Sequence, residues 1–291
     1  MFTDLQLITL TTDFGGSYYV GEMKGVMKKV NPKAEVVDVT HAVGRQNILE
    51  GAFILSRVWR HFPKNTIHVA VVDPGVGSDR KALAVETDYC MLIGPDNGIL
   101  RWALKDQKVA RAVELNAGEV QARAGLKGLS ATFHGRDVFA PAAARLSAGT
   151  PVSRLGAAVS DLQTLPPPRL VPGDVPAAAL TSAVRGEILL ADRFGNLLTS
   201  IGVLCAGPGF LRIDPWIPGC PQMRLEGPGF RVHLPGGRAA RLVHTFSDVP
   251  PGSLLAYIGS DGLLEIGVNE GSAAEVLGLP RGAEVVLTAA G

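Results

Sequence analysis

No Cys-x-x-Cys pair, no His-Glu-x-x-His run and no cluster of cysteines with histidines occurs in this sequence, so it offers no zinc site of familiar spacing. Cysteine itself is scarce. Cys90, Cys205 and Cys220 are an odd number, far apart, and make no disulfide framework; they suit a reducing, intracellular setting. Excess charge of either sign is missing as well. A formal net charge of +1 gives no global electrostatic case for nucleic acid or an anionic membrane as partner. No uninterrupted apolar run approaches membrane-spanning length, and residues 1–6 carry no basic leader, so the expected location is the cytoplasm. Repeats and low-complexity segments are also lacking. What is present is 46% hydrophobic and 19% charged residues over 291 positions, enough to bury a substantial core in one large domain or two ordinary ones.

Strand and helix patterns alternate in the first half. Apolar runs at 5–12, 35–39 and 66–72 predict strands, and 83–86 and 90–93 predict shorter ones. Val20, Met23, Val26, Met27 and Val30 recur at helical spacing over 18–30, and Asn31-Pro32 stops that helix. A second helix is expected over 48–62, and a turn into a third over 134–146. This predicts an α/β domain over 1–165 with a mostly parallel sheet and flanking helices. A proline-rich stretch, 166–180, reads as a linker. Beyond it, 181–291 shows short strands between glycine and proline turns with one helix at 272–277, which predicts a smaller all-β, barrel-like domain.

The chemistry-bearing residues sit at turns that follow strands. Asp13 comes after the first strand and before Gly15-Gly16; its carboxylate suits a ribose diol, or else caps the next helix. Asp73 ends the strand at 66–72, and Pro74, Gly75 and Gly77 form a tight loop that can fold Arg80 back to it, as a site or merely as a loop staple. His134, in Thr132-Phe133-His134-Gly135-Arg136-Asp137, precedes a helix whose dipole would keep the imidazole neutral; a structural role is the alternative. His41 is structural or lines the site. Asp96 and Asn97 are expected to cap a following helix. Asp13-Phe14-Gly15 also matches a protein-kinase fragment, but no kinase catalytic loop accompanies it. In the second domain, Asp192, Phe194 and Asn196 make either a ligand platform, with Phe194 stacking on a flat base, or a hairpin turn with a core Phe. The stretches 257–262 and 265–271 lead to a helix N-terminus at Ser272.

Taken in order, Thr12-Asp13-Phe14-Gly15, Asp38 to His41, Glu50-Gly51-Ala52, Val72 to Gly77, Gly94 to Gly98, Phe133 to Asp137 and Asp192 to Asn196 resemble the S-adenosyl-L-methionine hydroxide adenosyltransferase family. Fluorinating and chlorinating enzymes are its relatives. The resemblance implies an N-terminal α/β domain and a C-terminal barrel assembled as a homotrimer, with the ligand between neighbouring subunits. It implies that S-adenosyl-L-methionine (SAM) is substrate rather than cofactor, hydrolysed to adenosine and L-methionine without a metal. Asp73, Arg80 and His134 match the family's catalytic set and Asp13 its ribose carboxylate. Asp192, Phe194, Asn196, Ser260, Glu265 and Val268 match its adenine and methionine contacts. In the reaction so implied, Asp73 orients Arg80, Arg80 and His134 hold the water, and His134 takes its proton. Arg45 and Asn47 depart from the family, which usually has Pro and Asp there. Halogenating members carry Tyr-Ser in place of His134-Gly135 and an extra loop for which 78–130 leaves little room. Water is therefore the expected nucleophile, with halide-dependent adenosyl transfer, or non-catalytic adenosine or SAM binding, as alternatives.

Overall fold

The structure is a computed structural model that describes residues 7–173, 182–217 and 219–290. It divides into two compact units, Met1–Leu165 and Pro166–Gly291.

The first unit contains β1 (Leu7–Thr12), α1 (Tyr19–Val30), β2 (Glu35–Thr40), α2 (Ile48–Val58), β3 (Ile67–Val71), β4 (Ala82–Thr87), β5 (Met91–Pro95), β6 (Val109–Leu115), α3 (Ala117–Arg123), α4 (Ala140–Ser147) and β7 (Gly156–Ala158). Along β3 the side chains sort by parity, as the pleat requires. Ile67, Val69 and Val71 join the core that holds α1 and α4, whereas Ala70 and Val72 join the core that holds α2. Both faces of the sheet are thus covered, which is why β3 is an unbroken apolar run. Each fully buried Leu, Ile or Met here contributes roughly 1.5–3 kcal/mol relative to exposure.

The sheet order is β2-β1-β3-β5-β4-β6-β7. The first four strands pair in parallel, but β5–β4, β4–β6 and β6–β7 pair antiparallel, so the sheet is mixed rather than mostly parallel in its pairings. The cause is connection length: β4 and β5 are joined only by residues 88–90, too few for a crossover. The second helix ends at Val58 and tightens over Trp59–His61, because Phe62 precedes Pro63 and is extended. The helix expected at 134 begins as a π-helical turn, Gly135–Phe139, before α4. No helix follows Asn97; residues 98–106 are a run of turns.

β1 lies between β2 and β3, and Thr11 pairs with Thr40 while Thr12 pairs with Val71. The chain therefore leaves three parallel strands at one edge, carrying Asp13, His41 and Asp73 with it. From β1 the sheet grows outward in both directions, and such a switch point opens a crevice at the carboxyl ends of the strands.

The second unit contains β8 (Leu170–Pro172), β9 (Ala183–Ala191), β10 (Leu197–Thr199), β11 (Leu204–Gly207), β12 (Phe210–Ile213), β13 (Met223–Glu226), β14 (Gly229–Leu234), β15 (Arg238–Leu242), β16 (Leu254–Ile258), β17 (Leu264–Val268), α5 (Ala273–Leu277) and β18 (Glu284–Ala290). Strands β10-β17-β16-β15-β14-β18-β9 close into a seven-stranded barrel through the β9–β10 pairing. Strands β11 to β13 form a separate small sheet. Part of the expected linker is an edge strand, since β8 pairs with β9; residues 174–180 of it lie outside the described residues. Among the described residues no helix is long and apolar enough to cross a membrane.

Candidate active site

The loop after β3 is built by short turns: Val76 N–H donates to Asp73 O, and Ser78 N–H and Oγ–H both donate to Gly75 O. Gly77 has φ +80°, and a Cβ there would stand 2.4 Å from Ala131 O, so only glycine lets this loop nest against the segment that carries His134. The result is one hydrogen-bonded chain. Arg80 Nε donates to Asp73 Oδ1 at 2.9 Å, and Nη2 donates to Asp73 Oδ2 at 2.5 Å and to His134 Nδ1 at 2.7 Å. The Arg80 and Asp73 side chains are only 10% and 6% exposed, and the guanidinium carbon lies 5.5 Å from the centre of the Phe139 ring. Fork-to-fork pairing of this kind is strong and directional.

A guanidinium has no acceptor, so His134 Nδ1 must accept, and the neutral imidazole carries its proton on Nε2. Burial depresses the His134 pKa below the ordinary imidazole value, and the Arg80 charge depresses it further, against the opposing pull of Asp73 and Asp137. Burial and Arg80 thus favour the neutral ring. Its basic nitrogen is already occupied, so the imidazole offers a donor. The expectation that His134 takes a proton from water does not fit this geometry.

Asp13, Asp73 and His134 line one cavity of about 440 Å³, together with Arg45 and Gln46; Arg80 is not on its wall and stands behind the other two. Asp13 is not a helix cap: Tyr18 occupies that position before α1 without a side-chain bond. Its Oδ2 instead accepts the Gln46 N–H at 2.8 Å, and Gln46 holds φ +59° to aim that group. This main-chain donor escapes sequence reading; the only hint is Asn47 followed three residues later by Glu50, which marks the start of α2. Asn47 Oδ1 accepts from Glu50 N–H at 3.2 Å, and Glu50 Oε2 accepts from Asn47 Nδ2 at 2.8 Å and from Gly44 N–H at 3.1 Å. His41 braces the Asp13 turn: its carbonyl accepts Gly15 N–H at 2.7 Å, Nδ1 lies 2.9 Å from Thr12 Oγ1 and Nε2 lies 3.1 Å from Asp38 Oδ1. Asp96 and Asn97 cap no helix; Asn97 Nδ2 donates to Val72 O at 2.9 Å, and Asp96 Oδ1 accepts from Gln163 N–H at 2.8 Å.

In the second unit, Asp192 organises the β9–β10 hairpin by accepting from Phe194 N–H, Asn196 N–H and Asn196 Nδ2 at 2.8–2.9 Å. Phe194 is 75% exposed, so it is not the core Phe of the hairpin alternative. Tyr257 O–H donates to Glu265 Oε2 at 2.6 Å. Burial raises the Glu265 pKa, and the charges of Asp192 and Asp261 add to the rise, against the Tyr257 hydrogen bond that lowers it. Ser260 is exposed, while the Val268 side chain packs in the barrel core and leaves only its main chain for contact. Among the described residues no group of three or more His, Cys, Asp or Glu has the makings of a metal site.

A mixed α/β unit with a polar cavity at its switch point, followed by a barrel unit, defines a two-domain enzyme. The chain belongs to the SAM hydroxide adenosyltransferase family: the N-terminal domain model of that family matches residues 8–156 and the C-terminal domain model residues 186–286. It is 38% identical to an (R)-S-adenosyl-L-methionine hydrolase of Salinispora arenicola (strain CNS-205), over 97% of each chain. A fluorinase of Actinopolyspora mzabensis is 26% identical over 92% of each. A crystal structure of an uncharacterized conserved protein from Thermotoga maritima has a TM-score of 0.79 at 34% identity, covering 97% of this chain and all of that one.

Proposed function

We propose that the protein hydrolyses SAM to adenosine and L-methionine. The observation that carries this reading is the Asp73–Arg80–His134 chain opening on the cavity that Asp13 also lines. Water attacks ribose C5′; the C5′–O bond forms as the C5′–S bond breaks, and its electron pair leaves with sulfur. The departing methionine is a neutral thioether and needs no proton donor. One proton must leave the water. His134 donates Nε2–H to the water oxygen and fixes its direction, and Asp73, whose carboxylate lines the cavity beside it, is the acceptor this geometry leaves. Arg80 keeps both in register from behind. Proton removal of this type contributes typically ~10²–10⁴-fold, and in-line positioning adds to it. Attack by an anionic oxygen on a sulfonium cancels charge, so excluding bulk water favours it.

Asp13 holds the ribose diol through the oxygen that Gln46 leaves open. Asp192, Phe194, Asn196, Ser260 and Glu265, with the Val268 main chain, serve adenine and methionine in a homotrimer whose neighbouring subunits share each ligand. Three cysteines that form no disulfide suit the cytoplasm. Identity to the hydrolase, higher than to the fluorinase, favours water over halide as nucleophile. Purified protein is incubated with SAM and the products separated by chromatography. Adenosine is expected without added halide; a 5′-halo nucleoside instead, or no product, refutes the reading. His134→Ala is expected to bind adenosine yet lose turnover, and Asp13→Ala to lose nucleoside affinity.

A further inference from the structure

Part of the cavity wall has no task in the hydrolysis as drawn. Phe14, Tyr19 and Phe133 all line the cavity. Their ring centres lie 5.9 Å apart for Phe14–Tyr19, 5.8 Å for Phe14–Phe133 and 5.0 Å for Tyr19–Phe133, each pair edge-on. Tyr19 is still 41% exposed, and Tyr18, with its ring 4.7 Å away, is 71% exposed. Phe14 follows Asp13 and Phe133 precedes His134, so the segments that carry the diol carboxylate and the catalytic imidazole each add a ring to this wall. The cluster already holds one cation, since the Arg136 guanidinium carbon sits 5.2 Å from the centre of Phe133.

The substrate brings a second cation into this wall, its sulfonium. Of the two carboxylates that line the cavity, Asp73 is paired with Arg80 and Asp13 accepts the Gln46 N–H. A free carboxylate against C5′ would itself be a competing nucleophile. An aromatic face stabilises positive charge without a lone pair that can attack carbon. Its attraction exists while sulfur is charged and fades as the thioether forms. We infer that Phe14, Tyr19 and Phe133 form an aromatic wall that recognises the sulfonium charge and selects SAM over its neutral thioether counterpart. This rests on SAM being the substrate, as proposed above.

The test is calorimetric binding of SAM and of the thioether analogue lacking the S-methyl group, in the His134→Ala background so that no ligand is consumed. Tyr19→Leu is expected to weaken SAM about tenfold and leave the thioether unchanged, whereas Tyr19→Phe keeps the wild-type ratio. With His134 intact, Tyr19→Leu is expected to raise KM for SAM by the same factor without lowering kcat. Phe14→Leu is expected to act in the same direction, and serves if Tyr19→Leu does not fold. Equal weakening of both ligands, or an unchanged ratio in both variants, overturns the wall. Native protein that binds SAM but releases no adenosine sinks the hydrolase reading while the binding ratio still decides the wall. Protein that binds neither ligand overturns both.

Discussion

Gly77 is where the two catalytic segments touch, and replacing it tests whether their apposition matters. Gly77→Ala meets two obstacles. Its φ of +80° is a left-handed conformation that costs an L-residue about 1–2 kcal/mol. The added Cβ would also stand 2.4 Å from Ala131 O, and backbone cannot rotate aside as a side chain can. Ordinary contact requires the loops to part by about 1 Å, and close-packed interiors transmit such a shift rather than absorb it. One loop carries Asp73 and Arg80, and Ala131 lies three residues before His134, so the 2.7 Å Arg80–His134 bond is what stretches. A misplacement of about 1 Å can cost about 10²-fold in rate. Gly75→Ala is the matched control: it lies in the same loop, without a left-handed φ, and its new Cβ makes only ordinary contacts, with Ser78 Oγ at 3.4 Å, Arg80 Cγ at 3.6 Å and Asp73 Oδ1 at 4.0 Å. Denaturant titration is expected to show Gly77→Ala less stable by about 1–2 kcal/mol. Chromatography is expected to show adenosine release about 10²-fold slower, while Gly75→Ala stays close to the native protein in both. Equal behaviour of the two variants would refute the reasoning.

Arg80→Lys keeps a positive charge but cannot span two carboxylate oxygens and an imidazole nitrogen at once; kcat is expected to fall about 10²-fold with adenosine affinity retained, measured by steady-state kinetics and calorimetry. Activity requires neutral His134, whose pKa burial and Arg80 hold below the ordinary 6.5, so the acid limb of the kcat/KM profile is expected below pH 6.5 rather than at it. His68 is fully buried, bonded through Nδ1 to Thr9 Oγ1 at 2.8 Å, and burial lowers its pKa to about 4. The unfolded chain takes up that proton first, so stability is expected to be unaffected by this group above pH 6.5 and to drop by about 3 kcal/mol between pH 6.5 and 4, a slope that His68→Gln removes in denaturant titrations.

The residues at strand ends were legible because a buried parallel strand announces itself by composition, and the chain must turn polar where it leaves the sheet. Asp13 and Asp73 are of that kind. Strand direction was legible only in part. The short gap between the strands expected at 83–86 and 90–93 does imply one antiparallel pairing, but β6 reads Val-Ala-Arg-Ala-Val-Glu-Leu, exposed over its first three residues, and carries too weak a strand pattern to reveal how far the antiparallel edge extends. α4 was found as a helix, but not the π-helical turn before it, since hydrogen-bond spacing leaves no mark on residue type. The state of His134 was half legible. Position before a helix pointed to a neutral ring, whereas burial and the Arg80 contact, made across 54 residues of sequence, were not visible there. The Asp192 to Asn196 turn was legible as a hairpin, and the exposure of Phe194 was not, because a hydrophobic residue in a turn is ordinarily drawn inward.

Arg45 and Asn47, on either side of Gln46, bear on the Asp13 site in different ways. The carboxylate of Asp13 is held by the Gln46 N–H, and Gln46 keeps its left-handed φ only while the loop ends are fixed on both sides. Asn47 fixes one side. It caps α2 as an Asp would, but it also donates to Glu50, which an Asp could not do; an Asp there would set two carboxylates against each other. Glu50 reaches back from the first turn of α2 to Gly44 N–H and closes the other side. Asn47 and Glu50 are therefore a matched pair that holds the clamp on Asp13. Arg45 is the residue with consequences for the ligand, since it lines the cavity with a guanidinium. A positive charge on that wall weakens the pull on a cationic substrate and strengthens the pull on an anionic nucleophile. Its influence is thus on the charge of the cavity and not on the geometry that holds the nucleoside.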